Sequence, residues 1–239
     1  MKSSLPEADR HDASDTQRDD YKCEILPNQV RDKLCDRFKT NYKHMKRIGI
    51  FIFDNVELLD FAGPLEVFSI VGEIIGKSEL EVFTFTDNQS PIKTIHGLSV
   101  SADLSLDHLE SLDYLVIPGG DGSKQVIQNE GLMNSLEQLI LKSEWTMTVC
   151  SGARIPAKLG LLADKPFCTH ASVYEDLKRM EPTGIPRPDQ RFVQSDKKLF
   201  SAAGISAGID LALYLTARTF GKSLAEKTAE YMEYPMNYK

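Results

Sequence analysis

The strongest constraint in this chain is a series of short apolar runs, each followed by a segment of helical spacing. RIGIFIF (47–53), LEVFTF (80–85), DYLVIPGG (113–120) and EWTMTVC (144–150) are too short for stable helices and read as strands. The first and third do not alternate polar with apolar residues, which is the texture of a strand covered on both faces. Between the runs, Leu65, Phe68, Val71 and Ile75 predict a helix over 62–76, and residues 123–143 predict two helical segments with Gly131 as the break. Further helices are expected at 152–160, 172–180, 205–220 and 222–232, with a short strand at 167–169. Two hairpins are expected, one over 92–103 turning near Gly97, the other over 191–204 turning at Asp196-Lys197. Strands alternating with helices imply an α/β fold: a doubly wound, mainly parallel sheet sandwiched by helices. Sites in such sheets lie beyond the carboxyl ends of the strands, so the loops 54–64, 118–122 and 150–152 are the candidates.

The 239 residues suffice for one large domain plus an extension. Residues 1–20 are polar and nearly free of large apolar side chains, too poor in buriable surface to offset ordering entropy, so they are expected to be disordered. Val30, Leu34, Phe38 and Tyr42, four apart, predict a short amphipathic helix within 27–45 that packs on the domain. The domain itself is expected over 46–239. A net charge of −7 argues against a nucleic-acid partner. No apolar run approaches the roughly 20 residues of a membrane span. The first residues lack the apolar core of a secretion signal, so a cytoplasmic location and reduced thiols are expected. The four cysteines, Cys23, Cys35, Cys150 and Cys168, form no C-x-x-C pair, and no metal or organic cofactor is implied.

TMTVCSGARIPAKLGLL (146–162) places Cys150 where a strand runs into a helix through Ser151 and Gly152. That is the layout of a nucleophile elbow. The thiol would meet the free N–H groups and dipole of a helix start, and its pKa is expected below about 8.5. On spacing alone a buried core cysteine is as good a reading. Cys168, in PFCTH, lies within a short strand and reads as core; Cys23 and Cys35 fall in the extension. His170 is the histidine nearest the right part of the fold, but a structural hydrogen bond suits it better than catalysis. The more promising partner is acidic. Asp60, expected in the loop ahead of helix 62–76, is a candidate acid–base group or a helix cap. Glu66, expected in the first helical turn, reads as a dipole partner. Gly119 and Gly120 end a strand and would let backbone N–H groups approach a ligand, or simply make a tight turn.

LLDFAGPLEVF, LVIPGGDG, VCSGARIPAKLGLL, CTHASVYEDL and AGISAGIDLAL occur in that order. Together, over roughly residues 46–235, they resemble the DJ-1/PfpI superfamily, of the class I glutamine-amidotransferase-like fold, and most of all its isocyanide (isonitrile) hydratase branch. The resemblance implies that Cys150 is the nucleophile and Asp60 the acid–base partner. It places Ser151 where that branch has threonine, Gly119 and Gly120 beside the substrate, and Ile205 at the pocket wall. Branches with peptidase or chaperone activity usually carry histidine after the cysteine, and the glyoxalase-like branch often has glutamate at the Asp60 position. The implied reaction is hydration of a small-molecule isocyanide to an N-formamide by a homodimer; an oxidisable-cysteine sensor is the alternative. The fold also serves as the sensor half of AraC-like regulators, but the chain ends at Lys239 without room for a helix-turn-helix domain, which disfavours DNA binding.

Overall fold

The computed structural model describes residues 45–87, 91–109 and 112–236; the extension, its expected helix, Cys23 and Cys35 lie outside the described residues. Seven strands form one sheet. They are β1 (Lys46–Phe51), β2 (Leu80–Thr86), β5 (Leu104–Ser105), β6 (Tyr114–Ile117), β7 (Trp145–Val149), β10 (Phe192–Gln194) and β11 (Leu199–Ala202), in the order β10-β11-β7-β6-β1-β2-β5. All neighbours are parallel except β10, which runs antiparallel on β11. The two expected hairpins are both present: β3 (Ile92–Lys93) pairs with β4 (Ser99–Val100) across Gly97, and β10 with β11 across 195–198. A further two-stranded pair joins β8 (Pro166–Phe167) to β9 (Ile185–Pro186).

The helices are α1 (Leu58–Ile75), α2 (Ser123–Val126), α3 (Glu130–Lys142), α4 (Arg154–Lys158), α5 (Tyr174–Met180), α6 (Ala207–Phe220) and α7 (Lys222–Tyr231). Helices α1, α6 and α7 pack on one another, and α3 turns Leu132, Leu136, Leu139 and Ile140 into the same core. Strands β6 and β7 are buried at every position, as the continuous apolar runs require. A smaller cluster of Ala153, Ala157, Leu162, Phe167, Val173, Leu177 and Leu199 supports the segments that follow the elbow.

Three boundaries differ from the sequence expectation. Helix α1 begins at Leu58 rather than 62, and Gly63 and Pro64 lie inside it, Pro64 in the second turn at the loss of one intrahelical hydrogen bond. Glu66 is therefore mid-helix, not in the first turn. The break between α2 and α3 falls at Ile127–Asn129, where the Asn129 side chain caps α3 by accepting the Leu132 N–H, and Gly131 lies inside α3. Cys168 comes just after β8, fully buried, with its thiol against the carbonyls of Arg187 and Gln190 at 3.4 and 3.5 Å.

Strand β1 has β2 on one side and β6 on the other, while the chain order reverses between them. That reversal opens a crevice at the carboxyl ends of β1 and β6. At the opposite, amino end of β6 and β7 the core is keyed by Trp145, the chain's single tryptophan, which stacks on Tyr114 at 4.4 Å between ring centroids and donates its indole N–H to Thr219 Oγ1 at 3.1 Å. Truncation by Trp145→Ala removes a buried aromatic and should cost about 3–5 kcal/mol, measured by denaturant unfolding. In the native protein the same indole should emit at short wavelength and shift red in a single transition on unfolding.

Candidate active site

Four strand ends converge. The chain leaves β1, makes a bridge from Val56 to Gly120 after β6, and enters α1 with the Glu57 N–H donating to the Gly119 carbonyl at 2.9 Å. This connection places Asp60 in the first turn of α1, not in the loop ahead of it, and there it is fully buried. Its Oδ2 accepts the Gly119 N–H at 2.9 Å. Its Oδ1 is buried without a partner in ordinary hydrogen-bond geometry. The Cys150 thiol and the Ile205 backbone N–H are the groups that act on this carboxyl from the far side. A helix cap would use its carboxylate on amides of its own helix. Asp60 instead ties α1 to the end of β6 and turns to a thiol.

Cys150 opens a single 3-10 turn (Cys150–Ala153) between β7 and α4, at φ 57°. A left-handed conformation in a residue with a side chain costs on the order of 1–3 kcal/mol and needs a surrounding that over-determines it. Here the Cys150 N–H donates to the Ala203 carbonyl at 2.9 Å, and its carbonyl accepts Thr169 Oγ1 at 2.7 Å. Ile205, also left-handed at φ 51°, follows β11 and directs its N–H at both Cys150 and Asp60. A β-branched residue at positive φ is a genuine outlier. Two left-handed residues with side chains, one of them β-branched, therefore meet at one site. The Ile205 side chain is 37% exposed.

The charges differ from the sequence expectation. Burial pushes the Cys150 thiol up to about 12, and the nearby Asp60 carboxylate pushes the same way, over the opposing amides of Ser151 and Ile205. The helix start does not acidify the thiol, since the turn after Cys150 is short and the site is dry. Burial likewise lifts Asp60 from 3.8 to about 7, against the lowering effect of the Gly119 amide. Two groups that repel when both are ionised release their protons in separate steps that belong to the pair. Near neutral pH the pair is poised to lose its first proton and keeps its second.

The glycine loop also departs from expectation. The Gly119 amide is bonded to Asp60, and the Gly120 amide to Ser151 Oγ at 2.8 Å, so neither is free for a ligand. Ser151 in turn donates to the Gly120 carbonyl at 3.0 Å, which aims its hydroxyl at the loop and leaves its backbone N–H for the sulfur. Gly120 sits at φ 125°, and a Cβ on Gly119 would lie 2.5 Å from Ser151 N and 2.8 Å from Asp60 Oδ2. The glycines are thus the condition for close approach of three elements. His170 caps the 3-10 turn at Ala171–Val173, accepting the Ser172 N–H at 3.3 Å, in line with a structural role. A groove of about 340 Å³ beside β10 and α6 shares no residue with this site. No cluster of potential metal ligands occurs among the described residues.

The strand-end carboxyl, the glycine pair and the strained cysteine all fall within residues 46–218, which match the sequence model of the DJ-1/PfpI family. The chain belongs to the DJ-1/PfpI family. It is similar to an isonitrile hydratase of Pseudomonas putida, with 27% identity over 188 residues, covering 79% of this chain and 78% of that protein. It is also similar to the HTH-type transcriptional regulator GbdR of Pseudomonas aeruginosa, with 23% identity over 194 residues; the match covers 80% of this chain but 52% of the regulator. Among solved structures, a ThiJ/PfpI family protein from Pseudomonas syringae superposes with a TM-score of 0.73 at 22% identity, covering 88% of this chain and 82% of that one. The family includes enzymes, and the fold agrees with the parallel sheet read from the sequence. No helix among the described residues is long and apolar enough to cross a membrane.

Two groups at or beside the site escaped the sequence reading. The Ile205 amide is a backbone group with no sequence signature beyond the GIS stretch. Arg154 is a charged residue that is only 6% exposed, and the signal for it was present: one arginine among small and apolar residues in SGARIPAKLGLL.

The raised Asp60 value has a consequence for stability. Its folded pKa exceeds its unfolded one, so the stabilisation that comes with the neutral acid is full below about pH 4. It is lost as the pH rises through about 7. The loss is on the order of 2–4 kcal/mol. Asp60→Asn, which cannot ionise, should therefore melt higher than the wild type at pH 8 and lose that advantage at pH 4, as calorimetry across pH would show.

Proposed function

We propose that the protein hydrates small isocyanides to N-formamides through a covalent thioimidate on Cys150. One observation carries this reading: the strained Cys150 thiol and a buried carboxyl, Asp60, act on one another at converging strand ends, and that carboxyl keeps one oxygen unpartnered and a pKa near 7. Ser151 follows the cysteine and His170 is engaged as a turn cap, so the pairing is cysteine with aspartate and not cysteine with histidine. The similarity to the Pseudomonas putida isonitrile hydratase supports the same reading.

In this mechanism the Asp60 carboxylate takes the thiol proton as sulfur attacks the terminal carbon of R–N≡C, and returns it to that carbon. The product is R–N=CH–S–Cys150. Asp60, again a carboxylate, takes a proton from water as the water oxygen adds to the thioimidate carbon, and the nitrogen receives that proton. Collapse to R–NH–CHO breaks the C–S bond, and the hydroxyl proton returns through Asp60 to sulfur. The sum is addition of one water. The Ser151 and Ile205 amides face the sulfur and stabilise charge that develops there. Gly119 and Gly120 hold Asp60 and Ser151 rather than the substrate. Ile205 supplies an apolar wall for the R group. We propose a homodimer as the working assembly, as the resemblance implies.

Formamide production from a panel of simple isocyanides tests the reading. Cys150→Ala should abolish it and Asp60→Asn should lower kcat at least about 100-fold, the usual scale of a lost general acid–base. Because the base is the ionised form of the pair, kcat/KM should rise with pH through about 7. An absence of turnover across the panel by folded wild-type protein would overturn it.

A further inference from the structure

A chain of hydrogen bonds runs beneath the site and ends on the groups that hold Asp60. Arg154, at the start of α4, donates from Nε to Asp176 Oδ2 at 2.7 Å and from Nη1 to Ser123 Oγ at 3.0 Å. Ser123 Oγ donates to the Gly120 carbonyl at 2.8 Å and stands 3.4 Å from Ser151 Oγ. Ser151 holds both the N–H and the carbonyl of Gly120, and the preceding residue, Gly119, donates its N–H to Asp60.

We infer that Arg154 is a positioning residue for the Cys150–Asp60 pair, acting through Ser123 and the Gly119–Gly120 loop; this rests on reading that pair as the reactive centre. Three arguments carry it. A guanidinium only donates, so it fixes the direction of the whole chain. Ser123 Oγ accepts from Arg154, which leaves its single proton for the loop, with the Gly120 carbonyl at 2.8 Å the nearer acceptor and Ser151 Oγ at 3.4 Å the farther, while Ser151 accepts the Gly120 N–H. Second, the loop packs so closely on the pair that a small shift in it is felt at Asp60. A side chain at Gly119 would collide with Ser151 and Asp60, and one at Gly120 would lie 2.3 Å from the Asn55 carbonyl. The third argument is cost. Arg154 is buried, and a buried ion pair is often matched or bettered in stability by an apolar side chain of similar volume. Stability alone does not explain an arginine at this place, whereas a directed donor to Ser123 does.

Loss of Arg154 frees Ser123 to rotate and loosens the loop. The Gly119 N–H then withdraws from Asp60 Oδ2, and with it a group that favours the ionised carboxyl. The other titratable groups acting on Asp60 are Cys150 and Glu57, both of which oppose its ionisation when charged. Arg154 itself faces Asp176, which Arg154 and Arg179 hold below the usual carboxylate range.

The test is the rate of Cys150 alkylation by iodoacetamide from pH 5 to 10, read by mass on the peptide containing Cys150, in the full-length wild type, Arg154→Met and Ser123→Ala. In both variants the first midpoint should move up by at least about half a unit, roughly a twofold loss of rate at pH 7 and about threefold well below the midpoint. Ser123→Ala leaves Arg154 paired with Asp176 and so separates positioning from folding. Arg154→Lys, with one ammonium where two guanidinium nitrogens were used, should restore only part of the profile. Folded variants with the wild-type profile would overturn the inference. The readout needs no isocyanide, so a protein that hydrates none can still show the shift, and the two readings fail separately.

Discussion

The hydrogen bond from the Gly119 amide to Asp60 Oδ2 is the contact on which the rest of the site depends. It joins the helix after β1 to the end of β6, and it draws a carboxyl into a place with almost no solvent. Burial raises that carboxyl, and the Gly119 amide, with the Cys150 thiol and the Ile205 amide, pulls it back, leaving its ionisation at about 7. A group that titrates there can both take and return a proton at neutral pH, which neither a surface aspartate nor a fully neutralised one can do.

The thiol is subject to the same physics with the opposite result. An exposed cysteine at a long helix start is acidified by amides and dipole. Cys150 has two amides, little water and a carboxylate for a neighbour, so its proton is held. The thiol and the carboxyl therefore work as one two-proton system. In the proposed mechanism sulfur attacks as Asp60 receives its proton, and the isocyanide carbon then accepts that proton back.

Strain and glycine are two parts of one arrangement. Cys150 and Ile205 both sit at positive φ, and Cys150 is held by Ala203 and Thr169 rather than by its own turn. The glycine pair admits Ser151 and Asp60 to distances that any Cβ would forbid. The cost of the left-handed residues is met by the packing of β6, β7 and β11, whose buried faces leave the turns nowhere else to go.

The order of strands and helices, both hairpins and the strand-to-helix turn at Cys150 were legible from the sequence, because apolar period, glycine placement and chain length are local properties. Residue types also marked Cys150, Asp60 and Ser151 as the candidates. Local pattern set the helix start four residues late and so left Asp60 outside the helix, since Gly63-Pro64 reads as a boundary in sequence and is absorbed inside α1 in the fold. The direction of the thiol shift was hidden as well. It depends on burial and on a carboxylate ninety positions away, and neither is a property of the elbow's own residues. Likewise the glycine amides look free in a sequence, and only tertiary structure shows them bonded to Asp60 and Ser151. The sequence by itself determined which groups could react; the convergence of four strand ends decided which proton each one holds, because desolvation and charge act through space.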